Sequence, residues 1–322
     1  MLAALVVALA AIGLSVAAAG TAKTNVTYTI GVSYQGISVP FIKALQNAAR
    51  AEAKKLGNVK LVEADSNFDT NQELTNVQTL LSRGIQCLAI EAVSVTGSIG
   101  AVQAANAKNV PVIEFNSGTK GGGKVVAFVG ADHYYSGQLL GKFVVNLYKK
   151  SGKATLSGVY LRGVAGQVTD TVRTAAVKAT VKAAGLTGKI KFNEQHADFD
   201  RGKAQAVIES VISSGKPLDF IIANGDDMIL GAREALKAHG MDGKVPMSGI
   251  DGLPEVLQGI QAGKITATVF QNPEPQGAGG VLECVQHLQG KTLPKIKYIP
   301  FVLTTKANVA AVMKIAKRVY PK

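Results

Sequence analysis

Strand-like and helix-like segments alternate along the chain from Tyr28 almost to its end. Short runs rich in β-branched residues, such as Val110 to Phe115, are followed or preceded by segments with helical spacing of apolar residues, such as Phe41 to Leu56. Strands separated by helices of about 10–15 residues form βαβ units, which build parallel sheets. The sequence therefore predicts an α/β protein.

The number of strands predicts two sheets rather than one. About ten strand-like runs are present, whereas an ordinary sheet holds about four to six strands. At 322 residues the chain is also long enough for two domains. The alternation is interrupted at the glycine-rich stretch 120–124, so we place the first passage between lobes near Gly130. Two doubly wound lobes would enclose a ligand cleft between them, because open α/β sheets bind ligands at the carboxyl ends of their strands.

Two further local predictions concern a helix start and the cysteines. Thr70 to Glu73 reads T-N-Q-E, a capping box that predicts a helix beginning there.

Cys87 starts an apolar strand and Cys284 lies on a helix pattern. Export would permit a disulfide between them, but the flanking residues do not demand one. We expect two separate buried thiols.

The first 22 residues carry no charged side chain. An apolar block over 2–14 runs into small residues, as in a secretory signal and its cleavage site, although the usual basic start is missing. The block is shorter than the roughly 20 residues of a spanning helix. A buried N-terminal helix is the alternative. We expect a signal peptide over 1–22 whose recorded start is slightly trimmed, and a periplasmic product without a lipid anchor, since this segment has no cysteine.

Charge and motifs argue against nucleic-acid binding and against catalysis. The net charge is +13, but the lysines are scattered, which favours solubility or weak attraction to an acidic surface over nucleic-acid binding. The sequence contains no G-x-S-x-G, H-E-x-x-H, C-x-x-C or Walker motif, and its four histidines are far apart. We expect no catalytic residue, no metal and no cofactor.

Polar and aromatic residues follow several of the predicted strands. Such segments cover 39–42, 197–201, 224–228, 249–254 and 271–273. Aromatic faces beside acid and amide groups suit a polyhydroxylated ligand, because the C–H face of a sugar stacks on a ring and each hydroxyl needs a hydrogen-bond partner.

These segments, in this order, resemble the ribose-type periplasmic sugar-binding proteins of ABC importers, of the type I periplasmic binding protein family. The resemblance covers roughly 28–305. It implies two doubly wound parallel-sheet lobes joined by a three-segment hinge, which close around a monosaccharide. We expect an N-terminal lobe of residues 24–130 and 271–297 and a C-terminal lobe of residues 131–270 and 298–322.

The resemblance also implies roles for four residues. Phe41 and Phe199 match the stacking phenylalanines of the two lobes. Asp251 matches the acid that accepts hydrogen bonds from ligand hydroxyls, and Gln271 matches the hinge glutamine.

Other positions depart from the family pattern. Val39 and Ile42 stand where the family has an asparagine and an aromatic residue, and Asn116-Ser117 replaces an aspartate–arginine pair. The second-lobe arginine falls near Thr171. Because both arginines are absent in this alignment, ribose is no longer the favoured ligand, and another pentose or hexose, a polyol or a less polar small molecule fits equally well.

The extra length before Val39 offers Tyr34 and Gln35 as replacements, and Asp170 and Asn224 are weaker candidates. The full set of predicted ligand-binding residues is Phe41, Asn116, Phe199, Asp251, Gln271, Tyr34, Gln35, Ser117, Asp170 and Asn224.

The sequence thus predicts a periplasmic solute-binding protein that delivers a monosaccharide or related polyol to an inner-membrane ABC import permease. We expect a monomer that binds no nucleic acid. The alternative is a periplasmic signal receptor that presents a sugar-like ligand to a chemoreceptor or sensor kinase. A repressor's effector domain would need a DNA-binding helix-turn-helix before Tyr28, where the leader has no basic residue.

Overall fold

A computed structural model describes residues 26–320 of the chain. Its strands are β1 (Tyr28–Tyr34), β2 (Val59–Asp65), β3 (Cys87–Ile90), β4 (Val112–Asn116), β5 (Ala127–Gly130), β6 (Leu156–Arg162), β7 (Ile190–His196), β8 (Ile221–Ala223), β9 (Met247–Asp251), β10 (Ala267–Phe270), β11 (Ile296–Tyr298) and β12 (Val302–Thr305). Its helices are α1 (Pro40–Leu56), α2 (Thr70–Ser82), α3 (Ile99–Ala107), α4 (His133–Ser151), α5 (Val168–Ala183), α6 (Arg201–Ser213), α7 (Asp226–Ala238), α8 (Pro254–Gln261), α9 (Pro273–Leu288) and α10 (Val309–Val319).

The strands form two six-stranded sheets. The first has the order β11-β5-β4-β3-β1-β2 and the second the order β12-β10-β9-β8-β6-β7. All pairings are parallel except that between β10 and β12, which is antiparallel. The predicted α/β class with two doubly wound sheets is confirmed.

The chain passes between the sheets three times. The passages lie between β5 and α4, between β10 and α9, and between β11 and β12. Strands β11 and β12 were not predicted. β11 has only three residues, and all three are exposed. It therefore lacks the longer apolar run by which a buried strand is recognised in a sequence.

Helices cover both faces of each sheet. In the first sheet α1 packs beside α9 on one face and α2 beside α3 on the other, and in the second α4 packs beside α5 and α6 beside α7. Each sheet is therefore flanked by two apolar clusters of buried side chains. This burial holds the strand ends in place, and the loops at their carboxyl ends meet between the two sheets.

The predicted capping box at the start of α2 is wrong. Asp69 is the N-cap residue, and its carboxylate accepts hydrogen bonds from the backbone N–H groups of Asn71 (2.7 Å) and Gln72 (3.1 Å). Glu73 turns inward and accepts a hydrogen bond from the backbone N–H of Val93 at 3.1 Å. Its carboxylate therefore joins α2 to the loop after β3 rather than capping its own helix.

The expectation of two separate thiols is also wrong. Cys87 and Cys284 form a disulfide, with their Cα atoms 5.7 Å apart although the two cysteines are 197 positions apart in sequence. The bond links the start of β3 to α9, because that helix packs across β3 and β4. Nothing near either cysteine in sequence indicates this pairing.

Within 26–320, no helix is both long enough and apolar enough to cross a membrane. The predicted signal peptide lies outside the described residues.

Candidate ligand-binding site

A small cavity lies between the two sheets, at the carboxyl ends of their strands. The cavity is lined by Gln35, Val39, Phe41, Ile42, Phe68, Asn116, Gln167, Thr169, Arg173, Phe199, Asp251 and Gln271.

Four of the lining residues have unusual backbone conformations. Phe68, Asn116, Phe199 and Asp251 have positive φ angles of 61°, 54°, 56° and 133°. Only seven non-glycine residues of the described chain have a positive φ. Such conformations cost free energy and are concentrated at functional sites, where the surrounding structure holds them. The backbone itself therefore marks this cavity.

Two of the phenylalanine rings occupy equivalent places in the two lobes. Phe68 follows the edge strand β2, and Phe199 follows the edge strand β7. Each ring packs directly on a glycine that follows the neighbouring strand, Gly36 for Phe68 and Gly163 for Phe199, and a Cβ at either glycine would overlap the ring. The absence of a side chain at these glycines gives the rings their positions at the cavity.

Phe68 was not among the predicted contacts, although the sequence carries a signal for it. Residues 67–69 read N-F-D and residues 198–200 read D-F-D, and in both cases the aspartate caps the following helix. Comparing the two loops would have pointed to Phe68 once Phe199 was chosen.

Arg173 is the main correction to the predicted site. The second-lobe arginine was aligned near Thr171 and judged absent, but Arg173, two residues further along α5, lines the cavity and is only 2% exposed. Thr169 and Arg173 lie four residues apart and so share one face of the helix. A two-residue error in helical register hid this contact.

Hydrogen bonds hold the Arg173 guanidinium in place. One terminal nitrogen donates to the backbone carbonyl of Asn224, and the other donates to Nδ1 of His133 at 3.2 Å. Because an arginine can only donate, Nδ1 accepts, and the proton of the ring is on Nε2, which donates to the backbone carbonyl of Asn116 at 2.8 Å. Burial, and then the charge of Arg173, lower the pKa of His133 to about 3, so the imidazole is neutral.

Two polar atoms of cavity-lining residues have no hydrogen-bond partner within the described chain. These are Nε of Arg173, a donor, and Oε1 of Gln271, an acceptor. The amide nitrogen of Gln271 donates to Oδ1 of Asp251 at 2.6 Å. Buried polar atoms are nearly always paired, so an unpaired donor and an unpaired acceptor in one cavity indicate a place for a polar ligand.

Asp251 lies beside a second buried carboxyl group, that of Asp226. Oδ2 of Asp226 accepts from the backbone N–H groups of Gly252 (2.7 Å) and Leu253 (3.0 Å), and Thr268 donates to the same carboxylate. Burial raises the pKa of both aspartates, and the charge of Arg173 opposes the rise for Asp251. Asp226 thus holds the turn after β9 in place, and Asp251 is the last residue of β9.

The two lobes touch across the cleft through a pair of amides. Nε2 of Gln167 donates to Oε1 of Gln35 at 2.7 Å. Gln35 is itself held by Glu91, which accepts from the Gln35 side chain at 2.8 Å and from its backbone N–H at 3.3 Å. Despite these two donors, burial raises the pKa of Glu91 to about 8. The cleft is closed in this structure.

Six of the ten predicted site residues line the cavity and four do not. The six are Phe41, Asn116, Phe199, Asp251, Gln271 and Gln35, and the four are Tyr34, Ser117, Asp170 and Asn224.

The four others are buried for structural reasons. Tyr34 points into the core beside Phe115 and donates to Glu63 at 3.0 Å, because successive residues of a strand face opposite sides. Ser117 donates to Oδ1 of Asn116 at 3.3 Å.

Asp170 and Asn224 support the site from behind. The amide of Asn224 donates to Oδ1 of Asp170 at 3.0 Å, while the backbone carbonyl of Asn224 receives Arg173. Asp170 also accepts from Arg162 and from the backbone of Gly163, beneath the Phe199 ring. These residues position the contacts without lining the cavity.

Six lining residues were not among the predicted contacts. Val39 and Ile42 were noted as departures from the family pattern and lie in the cavity wall, and Phe68, Gln167, Thr169 and Arg173 were overlooked. Gln167, Thr169 and Arg173 all belong to the start of α5, where Gln167 is the N-cap residue. Within 26–320 no cluster of three His, Cys, Asp or Glu side chains is placed to hold a metal ion.

A fold of two doubly wound lobes, with a cavity lined by polar and apolar residues between them, defines a bilobal binding protein. The chain belongs to the periplasmic binding protein domain family, whose sequence profile matches residues 30–292. It is 32% identical over 283 residues to the ribose import binding protein of Haemophilus influenzae, covering 87% of this chain and 91% of that protein. It is 32% identical over 327 residues to the D-galactose/methyl-galactoside binding periplasmic protein of the same organism, covering 94% and 96%. The resemblance drawn from the sequence is confirmed.

Solved structures agree with this assignment. The Caulobacter myo-inositol binding protein bound to myo-inositol is 29% identical, with a TM-score of 0.82 and coverage of 90% of this chain and 97% of that one. An ABC transporter solute binding protein from Bacillus halodurans C-125 with bound myo-inositol is 27% identical, with a TM-score of 0.82 and coverage of 91% and 99%. These relatives are binding and transport proteins, not enzymes.

Proposed function

We propose that this protein binds a monosaccharide or related polyol between its two lobes and delivers it to an ABC import permease from the periplasm. The relatives named above bind ribose, galactose or myo-inositol and include periplasmic and ABC-transporter binding proteins. The sensory alternative is not proposed, because these relatives are import and binding proteins.

The observation that carries this proposal is that two cavity-lining side chains each have a buried polar atom without a partner, Nε of Arg173 and Oε1 of Gln271. An unsatisfied buried polar atom costs about 1–3 kcal/mol. A hydroxyl group both donates and accepts, so a polyhydroxylated ligand can satisfy both atoms. The rings of Phe41 and Phe199 offer apolar faces to the C–H groups of such a ligand.

Closure couples binding to delivery. Phe41 and Asn116 contribute to the cavity from the first lobe, and Arg173 and Phe199 contribute from the second. A ligand that touches both sets binds the closed form better than the open form, and that difference in affinity drives closure. We place the hinge at the three passages, with lobes of residues 24–130 with 271–297 and 131–270 with 298–322. The permease would then recognise the closed monomer.

Calorimetric titration of the purified protein with pentoses, hexoses and polyols tests this proposal. We expect one of them to release heat and to raise the melting temperature. Arg173→Ala should weaken its binding by about a hundredfold, because truncating one partner in a buried charged hydrogen-bond network costs several kcal/mol. Arg233→Ala is the control, since Arg233 pairs with Asp242 at the far end of α7. If no sugar or polyol changes either signal, the proposed function is wrong.

A further inference from the structure

The cavity is polar on one side and apolar on the other. The side formed by α5, the end of β9 and the second passage carries Arg173, Asp251 and Gln271, the first and last of which have the unpaired donor and the unpaired acceptor. Arg173 and Asp251 have opposite charges, so this side does not favour a strongly charged ligand. It is suited to the hydroxylated edge of a neutral molecule.

The first lobe offers few free polar atoms. Its polar lining residues are Gln35 and Asn116, and each amide nitrogen and oxygen already makes one hydrogen bond within the protein. Both ends of the Gln35 amide are used, by Glu91 and by Gln167. The amide nitrogen of Asn116 donates to Gln276 at 2.9 Å, and its oxygen accepts from Ser117.

The remaining lining of the first lobe is apolar. It consists of Val39, Phe41, Ile42 and Phe68, none of which has a polar side-chain atom. We call these four residues the apolar wall. Phe41 and Ile42 are each 4% exposed, so the wall is in place without a ligand.

This asymmetry has a consequence for ligand choice. A hydroxyl group pressed against the apolar wall would lose its water partners and gain none, whereas a methyl group there would be buried favourably. We propose, on the basis of the proposed function, that the ligand is a 6-deoxyhexose, with its hydroxylated edge on Arg173 and Gln271 and its methyl group on the apolar wall. Val39 and Ile42 are then residues that determine specificity.

Matched pairs of sugars test this inference by calorimetry. The pairs are L-rhamnose with L-mannose, L-fucose with L-galactose, D-fucose with D-galactose, and 6-deoxy-D-glucose with D-glucose. We expect the best-binding deoxy sugar to bind at least about tenfold more tightly than its parent, which is the discrimination that an apolar pocket achieves for one small group.

Val39→Asn tests the wall itself. Val39 is the N-cap residue of α1 and makes no side-chain cap, and asparagine is a favoured N-cap residue, so this variant should fold. Its amide would offer a partner to the parent sugar's extra hydroxyl, and we expect the preference for the deoxy sugar to fall below about threefold. Val26→Asn, at an exposed position, is the matched control and should retain the preference.

The outcomes separate the two proposals. Equal or tighter binding of the parent sugars, or binding of a pentose or inositol but of no 6-deoxyhexose, would overturn this inference and leave the proposed function standing. An unchanged preference in Val39→Asn would overturn the assignment of the methyl group to the apolar wall. If no sugar or polyol binds at all, the proposed function itself fails.

Discussion

Buried ionisable side chains surround the cleft, and their charge states differ from those of exposed groups. Burial raises the pKa of Glu73 to about 7 and that of Glu91 to about 8, and it lowers the pKa of His133 to about 3. His133 is therefore a neutral acceptor for Arg173, and Glu91 holds the cross-cleft amide of Gln35. The geometry of the site depends on these individual groups, each of which is costly to charge in place.

Glu73 gives a prediction at this scale. Its folded-state pKa of about 7 lies above its ordinary value of 4.5, so its contribution to stability is complete below about pH 4.5 and is lost as the pH rises through 7. Glu73→Gln keeps the acceptor for the backbone of Val93 and cannot ionise. Its free energy of unfolding should therefore rise relative to the wild type between about pH 5 and pH 8.5, by on the order of 3 kcal/mol.

Urea unfolding of both proteins at the two pH values measures this difference. Glu234→Gln, at an exposed position on α7, is the control and should follow the wild type. Parallel pH dependence of Glu73→Gln and the wild type would show that Glu73 is ionised without cost in the folded protein.

At the scale of the elements, most of the fold was predictable because helices and strands have local periodicities. The exceptions were elements or ends whose structure depends on distant partners. β11 is a short exposed strand that pairs with β5 from far along the chain. α9 follows the second passage but packs back on the first sheet, where Cys284 meets Cys87.

The disulfide gives a prediction at this scale. It closes a loop of 197 residues, and in the chain-entropy view a loop of this length stabilises the folded protein by about 5 kcal/mol through its effect on the unfolded chain. Cys87→Ala/Cys284→Ala should therefore melt at a clearly lower temperature than the oxidised wild type.

Scanning calorimetry with and without a reductant measures this effect. The reduced wild type should approach the double variant, and the double variant should not respond to reductant. An oxidised wild type that melts with the double variant would mean that the bond contributes nothing to stability.

At the scale of the whole molecule, closure depends on contacts between lobes that meet only in the folded protein. The hydrogen bond between Gln167 and Gln35 is one such contact, and the backbone N–H of Val168 also points to the carbonyl of Val93 at 3.4 Å. These contacts favour the closed form before a ligand contributes.

Gln167→Ala should shift the ligand-free protein toward the open form. We expect a larger radius of gyration in small-angle scattering, and ligand affinity lower by about fivefold, since one hydrogen bond contributes roughly 1 kcal/mol. Gln195→Ala, at an exposed position on β7, serves as the control. If scattering and affinity match the wild type in both variants, this amide pair does not hold the cleft closed.

The sequence by itself determined the α/β class, the two lobes and the position of the site after the strand ends. These follow from local periodicity and from the common direction of parallel strands. The resemblance to the family also led to Phe41, Phe199, Asp251 and Gln271, all of which line the cavity. Such features depend on residues close together in the chain.

Only the tertiary structure decided which neighbouring residues face the cavity. Arg173 rather than Thr171 reaches the cavity because of the rotation of α5, and Tyr34 points away from it while Gln35 points in. The disulfide and the cross-cleft amide pair join residues more than a hundred positions apart. Helix rotation and the meeting of distant segments are set by packing against the rest of the molecule, which local sequence patterns do not record.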